Sequence, residues 1–286
     1  MPIHSTRSSP RMQWLLTRRC LDAVTKVMDG VPQPGEDARP AVLSRAGCAA
    51  PAGAMGDRSA ATVVLVHGSW HGAWCWERVV PLLARHGLRV ATIDLPSCGR
   101  DAAGLADLEG DIRAVRLLLE RLEGPVIVCA HSYGGAPVTA AATGQGRVRR
   151  LIYLSAFMLD VGESCSAIVG GSLPSWCVVH NDGTFIIDPD AAPGVLYGDC
   201  DPWICKLAIS RLVPQLTVTS AQAVSAAAWR TIPSTYVVCT LDRAIPPTVQ
   251  RRLAGRAIQT VELASSHSPF LSMPGAVASL IAECAA

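Results

Sequence analysis

From residue 62 onward, short and almost wholly apolar runs alternate with segments of helical period, and few folds accommodate that rhythm. Thr62–Val66, Arg89–Ile93, Pro125–Cys129, Arg150–Leu154, Thr235–Cys239 and Ile258–Leu263 read as strands. Several of these runs are apolar at successive positions rather than at every second one, so both faces of each strand must be covered. Between them, Leu105, Leu108, Ile112, Val115, Leu119 and Leu122 recur at steps of three and four, which marks one face of a helix. Asp107 or Asp111 stands near its start, where an acid suits the helix dipole. Further helices fit Trp76–His86, Gly134–Thr143, Pro247–Ala254 and Gly275–Cys284. The pattern predicts the α/β class: a mostly parallel sheet with helices on both faces. Residues 161–228 break the rhythm with Gly170-Gly171, Asn181-Asp182-Gly183 and Ala192-Pro193-Gly194. An insertion at the carboxyl edge of such a sheet would cover the crevice where ligands bind, so this stretch reads as a cap.

The sharpest local signal lies in Val126-Ile127-Val128-Cys129-Ala130-His131-Ser132-Tyr133-Gly134-Gly135. A buried strand runs into small-x-Ser-x-Gly and then into a helix of small residues. In that context the turn is so tight that the serine is held in strained geometry with its hydroxyl above the sheet, as in a nucleophile elbow. Gly134 and Ala130 are the small residues the turn requires, Ala130 standing where a glycine is usual. Outside that context Ser132 would be an ordinary helix cap.

A serine hydroxyl needs a base, and the base needs an orienting acid. Downstream of Ser132 the only histidines are His180, inside the presumed insertion, and His267, in the loop after the last strand. His267 is therefore the expected base. The acid is Asp242, which follows strand Thr235–Cys239, with Asp160 after the preceding strand as its rival. A developing oxyanion needs fixed donors. These are expected from the backbone N–H of Tyr133 and from that of Ser69, in the loop after the first strand. Gly68 allows close backbone approach there, and His67 reads as a structural hydrogen-bonding residue. Trp70 and His131 are candidate pocket residues. Trp74 and Trp76 fit either the core or the pocket.

Taken together, these residues resemble the α/β-hydrolase superfamily over residues 62–284. The likeness is greatest to the branch that holds plant methylesterases, the salicylate-binding esterase and hydroxynitrile lyases, with their bacterial relatives. It rests on the run Val64-Leu65-Val66-His67-Gly68-Ser69-Trp70-His71-Gly72, on the elbow, on Cys239-Thr240-Leu241-Asp242-Arg243-Ala244, and on the His267 loop. The resemblance implies an α/β-hydrolase fold with a cap, a Ser132–His267–Asp242 triad, and a cofactor-independent esterase acting on a small carboxylic ester. Lyases of the branch carry threonine at the Gly68 position and lysine at the Ser268 position. Neither is present, so hydrolysis is favoured. The same triad could serve a lactone or C–C bond hydrolase, and the fold could serve as a ligand receptor.

Composition narrows the remaining classes. Among 286 residues, half are hydrophobic and 17% charged, with a net charge of +2, which suits a globular enzyme and excludes a nucleic-acid surface as the main business. No apolar run is long enough for a membrane span. The eleven cysteines form no metal pattern, so no metal is expected, and the resemblance implies no cofactor; most cysteines read as reduced core thiols, with Cys200–Cys205 as the one conceivable disulfide. The expected partner is a small-molecule ester, and the expected assembly a monomer or homodimer. Residues 1–60 carry linker signals and read as a poorly ordered or non-catalytic extension to a hydrolase domain at 61–286, with Met55 as an alternative start. A cytoplasmic location is expected, although four arginines before residue 21 without an acid also fit an organelle-targeting segment.

Overall fold

A computed structural model describes residues 61–286. The N-terminal extension and Met55 lie outside the described residues.

Among the described residues, nine strands form two sheets. The central sheet holds β1 (Thr62–Val66), β2 (Arg89–Ile93), β3 (Val126–His131), β4 (Val148–Leu154), β8 (Ser234–Cys239) and β9 (Gln259–Leu263), in the order β2-β1-β3-β4-β8-β9. Every pairing in it is parallel. The smaller antiparallel sheet holds β5 (Cys177–Val179), β6 (Thr184–Ile187) and β7 (Gln215–Leu216). The main helices are α1 (Val80–Arg85), α2 (Leu108–Arg121), α3 (Gly135–Ala141), α4 (Pro202–Arg211), α5 (Pro247–Ala254) and α6 (Pro274–Ala285).

The continuous apolar runs are explained by their place. β1, β3 and β8 are buried at every residue and lie inside the sheet, whereas the partly exposed β2 and β9 are its edges. Val64 and Val66 of β1 join one apolar cluster with α2 and α3, while Val63 and Leu65 join a second with α1 and α6. Both faces are thus covered, and each buried aliphatic side chain contributes about 1.5–3 kcal/mol of burial.

Helix α2 starts where an acid was expected. The Asp107 carboxylate accepts from Gly110 N–H at 3.1 Å as its N-cap, a bond generally worth about 1 kcal/mol. Asp111, the second acid expected near the dipole, is fully buried instead of facing solvent. The expected helix over Trp76–His86 is interrupted: Ala73–Trp76 is a 3-10 turn, and the helix proper begins at Val80 beside Pro81. Proline suits a first helical turn because its missing N–H has no partner there.

Residues 161–228 contain the small sheet, α4 and three short helical turns. They connect β4 to β8, neighbours in the central sheet, and so form an insertion above its carboxyl edge. Gln222 of this insertion grips the start of α2, accepting from Leu108 N–H at 2.8 Å and donating to Asp107 at 2.9 Å. Cys200 and Cys205 are free thiols, so the possible disulfide is absent.

Candidate active site

The strand–turn–helix at β3 places Ser132 at φ 51°, a conformation that side-chain-bearing residues rarely adopt and that stores roughly 1–3 kcal/mol of strain. The close approach that forces this geometry is visible at the glycines. A Cβ on Gly134 would stand 2.4 Å from the His67 carbonyl oxygen, and one on Gly135 would stand 2.5 Å from that of Phe157. Helix and strand therefore touch backbone to backbone. Only three non-glycine residues among those described have positive φ: Trp70, Ser132 and Ser155. All three lie at this site.

Parallel strands bring their carboxyl ends to one edge, and the loops after β3, β8 and β9 meet there. Ser132 Oγ donates to His267 Nε2 at 2.9 Å, and His267 Nδ1 donates to Asp242 Oδ2 at 2.7 Å. Serine, imidazole and carboxylate form one hydrogen-bonded chain, each nearly buried. Asp160, the rival acid, lies elsewhere and pairs with Arg230 at 2.7 Å. His180 bonds Thr184 Oγ1 within the insertion.

The Asp242 carboxylate is clamped by more than the imidazole. Its Oδ1 accepts from the N–H groups of Ala244 at 2.7 Å and Ile245 at 3.0 Å. Its Oδ2 accepts from Gln250 Nε2 at 2.8 Å and from Ser155 Oγ. Gln250 is fully buried on α5 and also bonds Cys239 N–H and Ile245 O, so it staples the Asp242 loop to β8. Neither Ser155 nor Gln250 was singled out in the sequence. A Ser just past a strand that neighbours the Asp strand was the only available hint of the first; nothing local marked the second.

The loop after β1 lies against the elbow. A Cβ on Gly68 would meet Ser132 Cβ at 2.6 Å, which accounts for the glycine there. His67 behaves as a structural residue: its Nε2 accepts from Leu95 N–H, so its Nδ1 carries the proton and donates to the Gly68 carbonyl. By the same reasoning His71 Nε2 accepts from the Tyr197 hydroxyl at 2.8 Å, and its Nδ1 donates to the Ser69 carbonyl at 2.8 Å. Burial pushes the His71 pKa down to about 3, so its ring is neutral at ordinary pH. The Trp70 indole N–H donates to the Phe185 carbonyl of β6, tying this loop to the insertion. His71 and Tyr197 are further positioning residues that sequence reasoning passed over.

Ser69, Trp70, His131, Ser132, Tyr133 and His267 line one narrow cavity of about 80 Å³. The insertion supplies much of its wall, including Leu173, Trp176 and Phe185. The lining holds no Asp, Glu, Lys or Arg. Within it the His131 Nε2 hydrogen is directed to the His267 carbonyl at 2.9 Å, and burial and neighbouring histidines hold its pKa well down. Trp76 is core instead, packed on Phe270, and Trp74 stacks on His71 under the Arg211 guanidinium. A larger, shallower cleft of about 930 Å³ lies behind Asp242 and does not include Ser132. Among the described residues no helix is long and apolar enough to cross a membrane.

Such a chain can move a proton from a hydroxyl to an imidazole whose charge the carboxylate then offsets. Known proteins share the scaffold. The chain is 29% identical over 240 residues to the alpha/beta hydrolase nvfD of Aspergillus novofumigatus, spanning 78% of this chain and 96% of that one. It is 27% identical over 237 residues to methylesterase 9 of Arabidopsis thaliana, covering 74% and 93% respectively. A pyrethroid hydrolase of Sphingobium faniae JZ-2 superposes with a TM-score of 0.68 at 27% identity, over 79% of this chain and 98% of that one. A family model matches residues 63–280, and the chain belongs to the alpha/beta hydrolase family.

Proposed function

We propose that the protein is a serine hydrolase that cleaves a small, uncharged carboxylic ester through an acyl-enzyme. The observation that carries this reading is the continuous hydrogen-bonded chain Ser132–His267–Asp242 opening into a cavity without charged side chains. Relatives named as a methylesterase and a pyrethroid hydrolase support the ester as substrate.

In this reading Ser132 Oγ attacks the ester carbonyl carbon while its proton passes to His267 Nε2. Asp242 stabilises the resulting imidazolium. The carbonyl oxygen, now an oxyanion, is received by the backbone N–H groups of Tyr133 and Ser69. Tyr133 is second in the 3-10 turn Ser132–Gly134, where a first-turn N–H has no carbonyl partner within the turn. Collapse of the tetrahedral intermediate breaks the ester C–O bond, and the leaving alcohol takes the proton from His267. A water then attacks the acyl carbon, gives its proton to His267, and releases Ser132 and the carboxylic acid.

The cavity supports this substrate class. Its volume of about 80 Å³ is small beside the several hundred typical of ligand pockets. Trp70, Trp176 and Phe185 make its wall aromatic, suiting a short or flat acyl group. The expected behaviour is turnover of p-nitrophenyl acetate, with kcat reduced by about 10⁴-fold or more in Ser132→Ala and His267→Ala. Turnover that survives in both variants refutes the proposal. A lactone or C–C substrate has no separate observation in its favour.

A further inference from the structure

Two carboxylates are buried among the described residues, Asp242 and Asp111, and the reaction above employs only the first. Asp111 lies in the first turn of α2 and has no ion-pair partner among the described residues. A buried carboxylate without a cation is costly unless several donors hold it. Two donors are present. Ser97 N–H reaches Oδ1 at 2.9 Å, and the Tyr133 hydroxyl reaches Oδ2 at 2.7 Å. Tyr133 directly follows Ser132, and its backbone N–H is the oxyanion donor assigned above.

We propose that Asp111 is a positioning residue of the oxyanion site: by gripping the Tyr133 hydroxyl from α2 it fixes the peptide N–H that follows Ser132. The inference rests on the functional reading of Ser132. The elbow is the place where such an anchor has an effect, because Ser132 sits at φ 51° and an unanchored turn could relax. Tyr133 is itself buried and belongs to the cavity lining, and its hydroxyl is held by Asp111. A tyrosine at this position contributes little to the cavity that a phenylalanine would not; its hydroxyl serves the carboxylate.

Titration is consistent with this arrangement. Burial pushes the Asp111 pKa up to about 6, while Ser97 and Tyr133 pull the other way and Asp107 adds to the rise. The titratable groups around the pair are Asp107 on α2, Cys98 after β2 and Cys165 of the insertion. Both thiols stay protonated, since burial raises them. Asp111 is therefore the group that would change charge first.

The test uses the full chain, p-nitrophenyl acetate, and an aryl trifluoromethyl ketone whose adduct with Ser132 carries an oxyanion. Tyr133→Phe removes a single oxygen; Asp111→Asn removes the charge. Each is expected to lower kcat about tenfold with KM within about twofold, and to weaken the ketone in parallel. The double variant is expected to be no worse than the poorer single one, because both break the same link. A purely structural role predicts lower thermal midpoints with unchanged ketone affinity. Wild-type kcat and ketone affinity in Tyr133→Phe overturn the proposal, as do single effects that multiply in the double variant. Should Asp111→Asn not fold, Tyr133→Phe alone decides. Absence of turnover in the wild type overturns the functional reading with it, whereas an active wild type and undiminished variants overturn only the role of Asp111.

Discussion

Replacing Gly134 with alanine tests the elbow more sharply than deleting a functional group. The new Cβ would stand 2.4 Å from the His67 carbonyl oxygen and 3.1 Å from that of Val66. Ordinary contact begins at 3.4 Å, so the turn leading into α3 and the chain just after β1 must separate by about 1.0 Å. Neither side can yield by rotating a side chain, because both atoms belong to the backbone. Overpacking of this kind costs about 1–3 kcal/mol, which for a domain of this size lowers Tm by roughly 2–12 °C. The same displacement carries Ser69 away from Ser132, and a misplacement near 1 Å lowers kcat by about 10²-fold. Thermal melting and steady-state hydrolysis of p-nitrophenyl acetate measure the two effects. Gly275→Ala is the control: its Cβ meets nothing within 4 Å, and it lies early in α6. There the gain in helix propensity is up to about 1 kcal/mol. A Gly134→Ala protein with wild-type Tm and kcat would falsify the argument that backbone contact sets the elbow.

Other expectations concern residues around the chain of hydrogen bonds. Ser155→Ala removes one of several donors to Asp242 and is expected to lower kcat about tenfold, since a bond to a charged group is worth about 1.5–3 kcal/mol and the other donors remain. Tyr197→Phe strands the buried His71 Nε2; it is expected to cost about 1–3 kcal/mol in thermal or denaturant unfolding and to lower kcat/KM by loosening the Ser69 loop. Asp111 has a folded pKa raised to about 6. Its contribution to stability is thus present below the ordinary carboxylate pKa and is lost as pH rises toward 6 and beyond. The Tm of Asp111→Asn relative to wild type should accordingly increase between pH 4 and pH 7; a difference that falls over that range contradicts the buried-carboxylate account.

Local pattern carried the parts of this protein that depend on chain-adjacent residues. The strands of the central sheet were readable because burial on both faces demands apolar runs, and β1, β3 and β8 supply them. Ser132 and His267 were readable because a tight strand-to-helix turn leaves a signature in Ala130 and Gly134, and because histidines are scarce downstream. Asp242 and Asp160 both follow strands, and only the folded arrangement of strand ends puts Asp242 beside His267 and Asp160 beside Arg230. Ser155, Gln250, Tyr197 and Asp111 act through contacts between segments far apart in the chain, and no spacing rule reports such contacts. Asp111 is the instructive case: an acid in the first turn of a helix normally faces water near the dipole, and only the packing of α2 against the elbow turns it inward. The break near Trp76 comes from Pro81, which stands in the first turn of α1 and prevents the helix from continuing backward.

The central claim is that Ser132 is the nucleophile and that His267 activates it. Treating the full chain with a fluorophosphonate and locating the adduct by peptide mass spectrometry measures this directly. The account predicts a single phosphonylated residue, Ser132, labelled rapidly in the wild type, far more slowly in His267→Ala, and not at all in Ser132→Ala. An adduct on another serine, or equal labelling of Ser132→Ala, would contradict it.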